Sequence, residues 1–128
     1  MQNSLARRLA PVVLRLGLAG LFLWFGLSQF FAPQEWISWV PAWAPNLIHG
    51  DARLVVLLNG GFETIGAILL VAGVFVRWAA LFLGLHLLLI AYEIGYDAIA
   101  IRDLCIAVSC FALSLYGADE WTLDSKMN

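Results

Sequence analysis

Long apolar runs make up most of the chain, and each contains only a few polar positions. The run at residues 54–76 is 23 residues long and has one ionisable side chain, Glu63, near its middle. About 20 apolar residues at ~1.5 Å rise cover the ~30 Å hydrocarbon core of a bilayer. Similar runs lie at about 11–31, 78–94 and 98–117. The pattern predicts an all-α fold, an integral membrane four-helix bundle that forms a single domain over residues 1–128.

The first two spans are separated by an outer loop, residues 32–53, that is rich in tryptophan and proline. Trp36, Trp39 and Trp43 share one face of a helix if the segment is helical. Because tryptophan favours the headgroup zone of a membrane, we expect a short interfacial helix lying flat on the outer surface, broken by Pro41 and Pro45. A lid over a lipophilic site is the alternative.

The distribution of Lys and Arg favours cytoplasmic positions for both ends of the chain. One side of the membrane would hold Arg7, Arg8, Arg77 and Lys126, and the other would hold Arg53 and Arg102. The basic start resembles a signal peptide, but the 21-residue run at 11–31 exceeds the ~7–15-residue core of such a peptide. We therefore expect an uncleaved first span, with N-in and C-in topology.

Each predicted span also carries polar or small residues on one helical face. They are Arg15, Phe22 and Gln29 in the first span, Asn59, Glu63, Gly66 and Gly73 in the second, His86 and Glu93 in the third, and Asp103, Cys110, Ser114 and Gly117 in the fourth. Polar groups find no partner in lipid, so these faces should meet on the bundle axis. Glu63 and His86 then lie near the midplane. The candidate binding residues in the outer half are Gln29, Asn59, Glu93, Arg102 and Asp103.

A carboxylate in the middle of a membrane is costly unless it is neutral or paired, which makes Glu63 a candidate functional residue. Glu63 and His86 are the candidate catalytic pair, because imidazole suits a proton relay. Structural alternatives remain: Glu63 would bridge helices, His86 would donate one hydrogen bond, and Arg102 with Asp103 would form a local charge pair rather than a substrate site. We expect Arg15 to extend to the inner headgroups or to another polar group.

Composition supports the membrane class and excludes several others. Of 128 residues, 62% are hydrophobic and only 12% are charged, with a mean hydropathy of +0.87, whereas soluble domains have about 25% charged residues. The net charge is −2 and no basic tract occurs, so no nucleic-acid partner is expected. Cys105 and Cys110 lie about 140° apart on a helix and have no metal-ligand spacing. We expect no metal site, and the cofactor stays unknown.

Four segments carry a resemblance to a known family: residues 16–29 of the first span; residues 60–77, where Glu63 is followed by Gly66, Gly73 and Arg77; residues 102–104; and Tyr116-Gly117 with Leu123-Asp124. In their order and spacing, these segments resemble the DoxX family. The resemblance implies a multi-pass protein of the bacterial cytoplasmic (inner) membrane with a loose link to redox chemistry, since some relatives are membrane subunits of thiosulfate:quinone oxidoreductases. Gln29 departs from the family pattern, in which Lys is common at this position.

Three functions follow as hypotheses. In the first, a quinone docks in the outer-half cavity, Glu63 and His86 manage its protons, and a redox partner subunit supplies electrons. In the second, the same cavity holds a lipophile without chemistry. In the third, the chain is a non-catalytic scaffold of a membrane complex. The lipid bilayer is the expected surrounding, and self-association into a homo-oligomer is left open.

Overall fold

Four long helices make up most of the computed structural model, which describes residues 2–127, with side chains from Ser4 onwards. The helices are α1 (Gln2–Phe31), α3 (Ala52–Ala72), α4 (Val76–Ile94) and α5 (Ala98–Tyr116). Two short helices, α2 (Ala44–Leu47) and α6 (Leu123–Met127), complete the described chain. Each long helix contains a stretch that is long and apolar enough to cross a membrane. The prediction of an all-α four-helix membrane bundle is confirmed, and Met1 and Asn128 lie outside the described residues.

The four long helices run alternately up and down, so the bundle has two distinct ends. The end that carries residues 33–50 is called the loop end here, and the end that carries the start of α1 and all of α6 is called the tail end. Packing is most extensive between α1 and α3 and between α4 and α5. A continuous apolar core joins the two pairs, with Phe22, Leu70, Leu83 and Leu113 among its fully buried side chains.

Two glycines bring α1 and α3 into backbone contact near the loop end. A Cβ atom added to Gly60 would lie 2.9 Å from the Gly26 carbonyl oxygen and 2.9 Å from Gln29 Cβ. A Cβ atom on Gly26 would lie 2.9 Å from the Gly60 carbonyl oxygen. Small residues permit this separation between membrane helices. The contact carries Gln29 of α1 directly to the polar face of α3.

The loop between α1 and α3 contains short helical turns, broken at Pro41 as expected, rather than one continuous helix. It consists of two 3₁₀ turns, Pro33–Glu35 and Ile37–Trp39, followed by the one-turn α2. Val40 is extended (φ −72°, ψ 126°), because the ring of Pro41 excludes the helical conformation from the residue before it. The three tryptophans therefore do not lie on one helix: Trp36 is half-buried, and the other two are exposed.

The connection between α3 and α4 comes earlier in the chain than the sequence indicates. Gly73 adopts a left-handed conformation (φ 72°), and its N–H donates to the carbonyl of Leu69, which ends α3 at Ala72. Glycine at this position is a common helix terminator because it has no Cβ to clash. Residues 73–75 form the turn, and α4 begins at Val76 rather than at Trp78.

The segment after α5 crosses the tail end and binds three helices. Arg15 of α1 is only 2% exposed, and its Nε donates to Asp119 Oδ2 at 2.8 Å. Its Nη1 donates to the carbonyl of Leu70 at 2.6 Å. Asp124 accepts the N–H groups of Phe75 and Val76, each at 2.9 Å, and so caps α4. Of the two partners expected for Arg15, headgroups or another polar group, the structure shows the second, a buried carboxylate.

Candidate functional site

A cavity of about 310 Å³ lies at the loop end, between the four long helices and the loop. A volume of this size accommodates a small ring-shaped ligand. Most of its wall is apolar or aromatic, including Phe25 and Trp36. The polar residues of the wall are Gln29, Asn59, Glu63, Arg102 and Asp103.

Glu63 is the centre of a hydrogen-bond network at this cavity. The side chain is buried, and Glu63 as a whole is 4% exposed. Gln29 Nε2 donates to Oε2 at 2.9 Å, and Asn59 Nδ2 lies 3.3 Å from Oε1. His86 Nε2 lies 3.2 Å from the same Oε1. One carboxyl group therefore connects α1, α3 and α4, and its hydrogen-bond partners include no Lys or Arg among residues 4–127.

The network follows from helix geometry and from the close approach of α1 and α3. Asn59 and Glu63 are four residues apart, so they lie on the same face of α3 one turn from each other. Gln29 reaches them across Gly60, and Asn59 Nδ2 donates to Gln29 Oε1 at 2.7 Å. The polar face that the sequence predicts on α3 thus meets the polar face predicted on α1.

His86 approaches Glu63 from α4 but does not contribute to the cavity wall. Its side chain is 19% exposed, and its ring centroid lies 4.8 Å from that of Phe62. His86 is therefore connected to the cavity through Glu63, which lines the wall. One hydrogen bond joins the two residues that the sequence analysis paired, and their handling of protons stays a prediction.

Arg102 and Asp103 form an ion pair on the α5 side of the cavity. Arg102 Nη2 lies 3.1 Å from Asp103 Oδ1, and the Arg102 side chain is 53% exposed whereas that of Asp103 is 9% exposed. The guanidinium carbon lies 5.7 Å from the centroid of the Phe25 ring, within the range of a cation–π contact. The two residues are a local charge pair and also part of the wall.

Residues of the loop close one side of the cavity. Trp36, Trp39, Val40 and Pro41 all line it. The Trp36 ring packs edge-on against Phe25, with 5.6 Å between centroids. Edge-to-face pairs of this kind add a modest stabilisation to the burial of the rings. The loop therefore covers one side of the cavity. The alternative role of the loop as a lid over a lipophilic site stays a prediction.

The structure separates one sequence candidate from the others and adds two residues. Glu93 is exposed and is not part of the wall, although it shares a helical face with His86. Glu93 lies two turns after His86, in the last turn of α4. A spacing of seven residues brings two side chains to within about 20° of the same direction, but it does not determine whether both are buried. Phe25 was not among the candidates, and Trp36 entered the sequence analysis only as part of the segment that could form a lid. The signal for Phe25 is its position one turn before Gln29, whose Nε2 also donates to the Phe25 carbonyl at 3.1 Å.

Neither a cysteine nor a cluster of potential metal ligands belongs to the cavity wall among residues 4–127. No group of three His, Cys, Asp or Glu side chains that could hold a metal ion occurs within residues 4–127. Cys105 is exposed, Cys110 is buried, and the two are not bonded to each other. The polar groups at the cavity are two carboxyl groups, two amides, a guanidinium and the indole N–H groups of Trp36 and Trp39, with an imidazole nearby.

Comparison with known families decides the class of this membrane protein. The family model described as DoxX matches residues 10–95, more than half of the chain. The chain belongs to the DoxX family. The matched range of this DoxX-family membrane protein contains Gln29, Asn59, Glu63 and His86 and ends before Arg102 and Asp103. No curated protein and no solved structure matches the chain.

Proposed function

We propose that this protein binds a quinone in the loop-end cavity and acts as a quinone-linked subunit or accessory protein of a membrane redox assembly. The observation that carries the proposal is the position of Glu63: a buried carboxyl group on the wall of an otherwise largely apolar cavity, hydrogen-bonded to His86. A quinone needs both an apolar environment for its ring and a group that exchanges protons at its oxygens. The cavity combines the two.

In the proposed function, this chain exchanges protons with the quinone, and a partner subunit supplies the electrons. Reduction of a quinone to a quinol takes up two electrons and two protons. We assign the electrons to a donor on a partner subunit. Glu63 exchanges protons with the ligand, and His86 exchanges protons with Glu63 across the 3.2 Å hydrogen bond. Family membership supports redox work only in a general way, because one fold hosts many activities.

A scaffold function is the second candidate, and a specific observation favours it. The Glu63 network joins α1, α3 and α4 without any ligand, which is what a structural cross-link between helices requires. Interhelical hydrogen bonds in membranes contribute about 1–2 kcal/mol at most. The scaffold and the quinone site differ in what happens when Glu63 loses its ability to titrate but keeps its shape.

Glu63→Gln tests the two functions, since glutamine keeps the shape and a polar head but carries no exchangeable acid. In native membranes, we expect reduction of an added short-chain quinone to fall by about 10²-fold, the contribution typical of general acid–base catalysis. His86→Ala should cause a similar loss. The double variant should lose less than the product of the two, because the residues act as a unit.

Glu93→Gln is the matched control, because it makes the same chemical change at an exposed carboxylate outside the wall. It should leave the rate unchanged. A well-folded Glu63→Gln protein with unchanged quinone reduction would remove the proton-handling role. Glu63→Leu should then lower the free energy of unfolding by about 1–2 kcal/mol as its main effect, in agreement with the scaffold.

Purification in mild detergent, followed by mass spectrometry of bound small molecules and partner chains, tests the ligand itself. We expect a quinone to copurify in an amount that falls when the wall residue Phe25 is replaced by alanine. A protein that consistently purifies with partner chains but without any lipophilic small molecule would favour the scaffold.

A further inference from the structure

The amide of Gln29 has no hydrogen-bond donor left for a ligand. Its nitrogen lies 3.1 Å from the Phe25 carbonyl oxygen and 2.9 Å from Glu63 Oε2. A backbone carbonyl only accepts hydrogen bonds, so this contact identifies which end of the amide is the nitrogen. Both N–H groups of Gln29 are therefore used within the protein.

The orientation of Asn59 follows from that of Gln29. The Asn59 nitrogen lies 2.7 Å from Gln29 Oε1 and 3.3 Å from Glu63 Oε1. Gln29 Oε1 is an acceptor, so the atom that faces it must be a donor, and both N–H groups of Asn59 are used as well. Asn59 Oδ1 is left over as an acceptor, with no donor to it among residues 4–127.

Asp103 contributes a second free acceptor to the wall. Its Oδ1 accepts from Arg102 Nε at 3.3 Å and from Nη2 at 3.1 Å. Its Oδ2 has no donor among the side chains and backbone groups of the described residues. Donors remain elsewhere on the wall, on Arg102 Nη1 and Nη2 of a side chain that is 53% exposed and on the indole nitrogens of Trp36 and Trp39. Beside Glu63, the free polar atoms of Asn59 and Asp103 are therefore acceptors, whereas the donors lie on arginine and tryptophan side chains.

We infer that the cavity selects a ligand whose headgroup donates a hydrogen bond, and that it holds the quinol form of a quinone more tightly than the oxidised form. The choice of a quinone rests on the proposed function, whereas the donor requirement rests on the hydrogen-bond pattern. The oxygens of an oxidised quinone only accept hydrogen bonds. Placed beside Asn59 Oδ1 and Glu63, such an oxygen would face other acceptors, with no hydrogen between them to form a bond. The hydroxyl groups of a quinol supply it. A protonated Glu63 has a single hydrogen, and His86 Nε2 competes for it at 3.2 Å.

The donor requirement is testable with a pair of redox-inert probes, 2-naphthol and 2-methoxynaphthalene, which differ in one hydroxyl hydrogen. Binding to the purified full chain in nanodiscs is measured by equilibrium dialysis, with empty nanodiscs subtracted. We expect 2-naphthol to bind about 10-fold more tightly or better, because its hydroxyl donates a hydrogen bond to an acceptor that the ether leaves unpaired. Menadiol, kept reduced with dithionite, should exceed menadione similarly. A tenfold preference raises the two-electron midpoint potential of the bound quinone by about 30 mV.

Glu63→Gln should reduce the preference for 2-naphthol to near one, because it replaces an acceptor with an amide that also donates. Glu93→Gln should retain the full preference. The wild-type comparison stands without any variant, so a misfolded Glu63→Gln protein does not affect the test.

Three outcomes would overturn the inference. If the ether binds as tightly as 2-naphthol while menadione binds well, the donor requirement is wrong and the proposed function survives. If 2-naphthylmethylammonium binds more tightly than 2-naphthol, the headgroup is a cation rather than a hydroxyl. If none of these probes binds above empty nanodiscs, the inference and the proposed quinone site both fail.

Discussion

Two buried charged residues, Arg15 and Glu63, differ in how completely the protein neutralises them. Arg15 contacts a carboxylate and two backbone carbonyls, so its charge and its donors are matched within the tail end. Glu63 has only amides and an imidazole as partners, and it borders a cavity. A buried charge that is fully paired is structural by default. A buried acid without a basic partner is the better candidate for chemistry.

The backbone contact between α1 and α3 predicts an effect at a single glycine. Gly60→Ala places a Cβ atom 2.9 Å from both the Gly26 carbonyl and Gln29 Cβ, so the helices must separate. We expect a loss of about 1–3 kcal/mol in the free energy of unfolding, as for other overpacked sites. Unfolding of the purified protein in mixed detergent micelles measures it.

Gly61→Ala is the matched control, because its Cβ would meet only Phe30 Cζ at an ordinary 3.6 Å. It should be nearly neutral. If both alanine variants were equally stable, the backbone contact would not hold α1 against α3. Gly60→Ala should also weaken 2-naphthol binding, since moving Gln29 away frees its donor and disturbs Asn59.

Among the elements, the segment after α5 adds most to the assembly of the bundle. It joins α1 through Asp119, and α4 through Asp124, while α3 contributes carbonyl groups to Arg15. Gly73 allows this arrangement, because a Cβ atom there would lie 2.5 Å from Thr122 Cβ. A polar segment that sequence analysis leaves as a tail is therefore part of the packed structure.

Asp119→Ala should be strongly destabilising, because it leaves the Arg15 guanidinium buried without its carboxylate. Breaking a buried ion pair by removing one partner costs about 3–5 kcal/mol. Arg15→Met combined with Asp119→Ala should recover most of that loss, because no charge is then left unpaired. Thermal unfolding in detergent would measure both.

Glu120→Ala is the control for the neighbouring position. Glu120 pairs with Arg8 at 2.6 Å, but both side chains are more than half exposed. Exposed pairs contribute little, so this variant should unfold like the wild-type protein. If the double variant of Arg15→Met and Asp119→Ala were no more stable than Asp119→Ala alone, the loss in Asp119→Ala would not come from leaving Arg15 without its carboxylate.

The sequence predicts those elements whose signal is local. Four apolar runs predict four helices, and one acid in the middle of the second run identifies Glu63. The partner of Arg15 could not be found in this way, because Asp119 is 104 residues away and nothing local links them. In the loop, the break at Pro41 is a local signal and was expected, whereas the division of residues 33–39 into two 3₁₀ turns cannot be derived from the tryptophan spacing.

For the whole molecule, the distribution of basic residues predicts its orientation. Arg8, Arg77 and Lys126 lie at the tail end, whereas Arg53 and Arg102 lie near the loop end. From the excess at the tail end, we expect that end to lie in the cytoplasm. In that orientation, the cavity would open toward the outer half of the bilayer, where a quinone dissolved in the membrane could reach it.

Reporter fusions test this orientation. An enzyme that is active only outside the cytoplasmic membrane should be silent when fused after Met127 and active when inserted at Asn46, in the loop. A fluorescent protein that folds only in the cytoplasm should give the opposite pattern. Activity of the external reporter at the position after Met127 would invert the topology and place the cavity toward the cytoplasm.

The ion pair between Arg15 and Asp119 also has a consequence in time. During synthesis at about 5–20 residues per second, Asp119 is made roughly 5–20 s after Arg15. Throughout that interval, the first helix carries a cation whose permanent partner does not yet exist. The nascent helix must keep this cation among the headgroups or beside the insertion machinery. Because only completion of the chain supplies the Asp119 carboxylate, we expect the Arg15 end of α1 to reach its final position as one of the last steps.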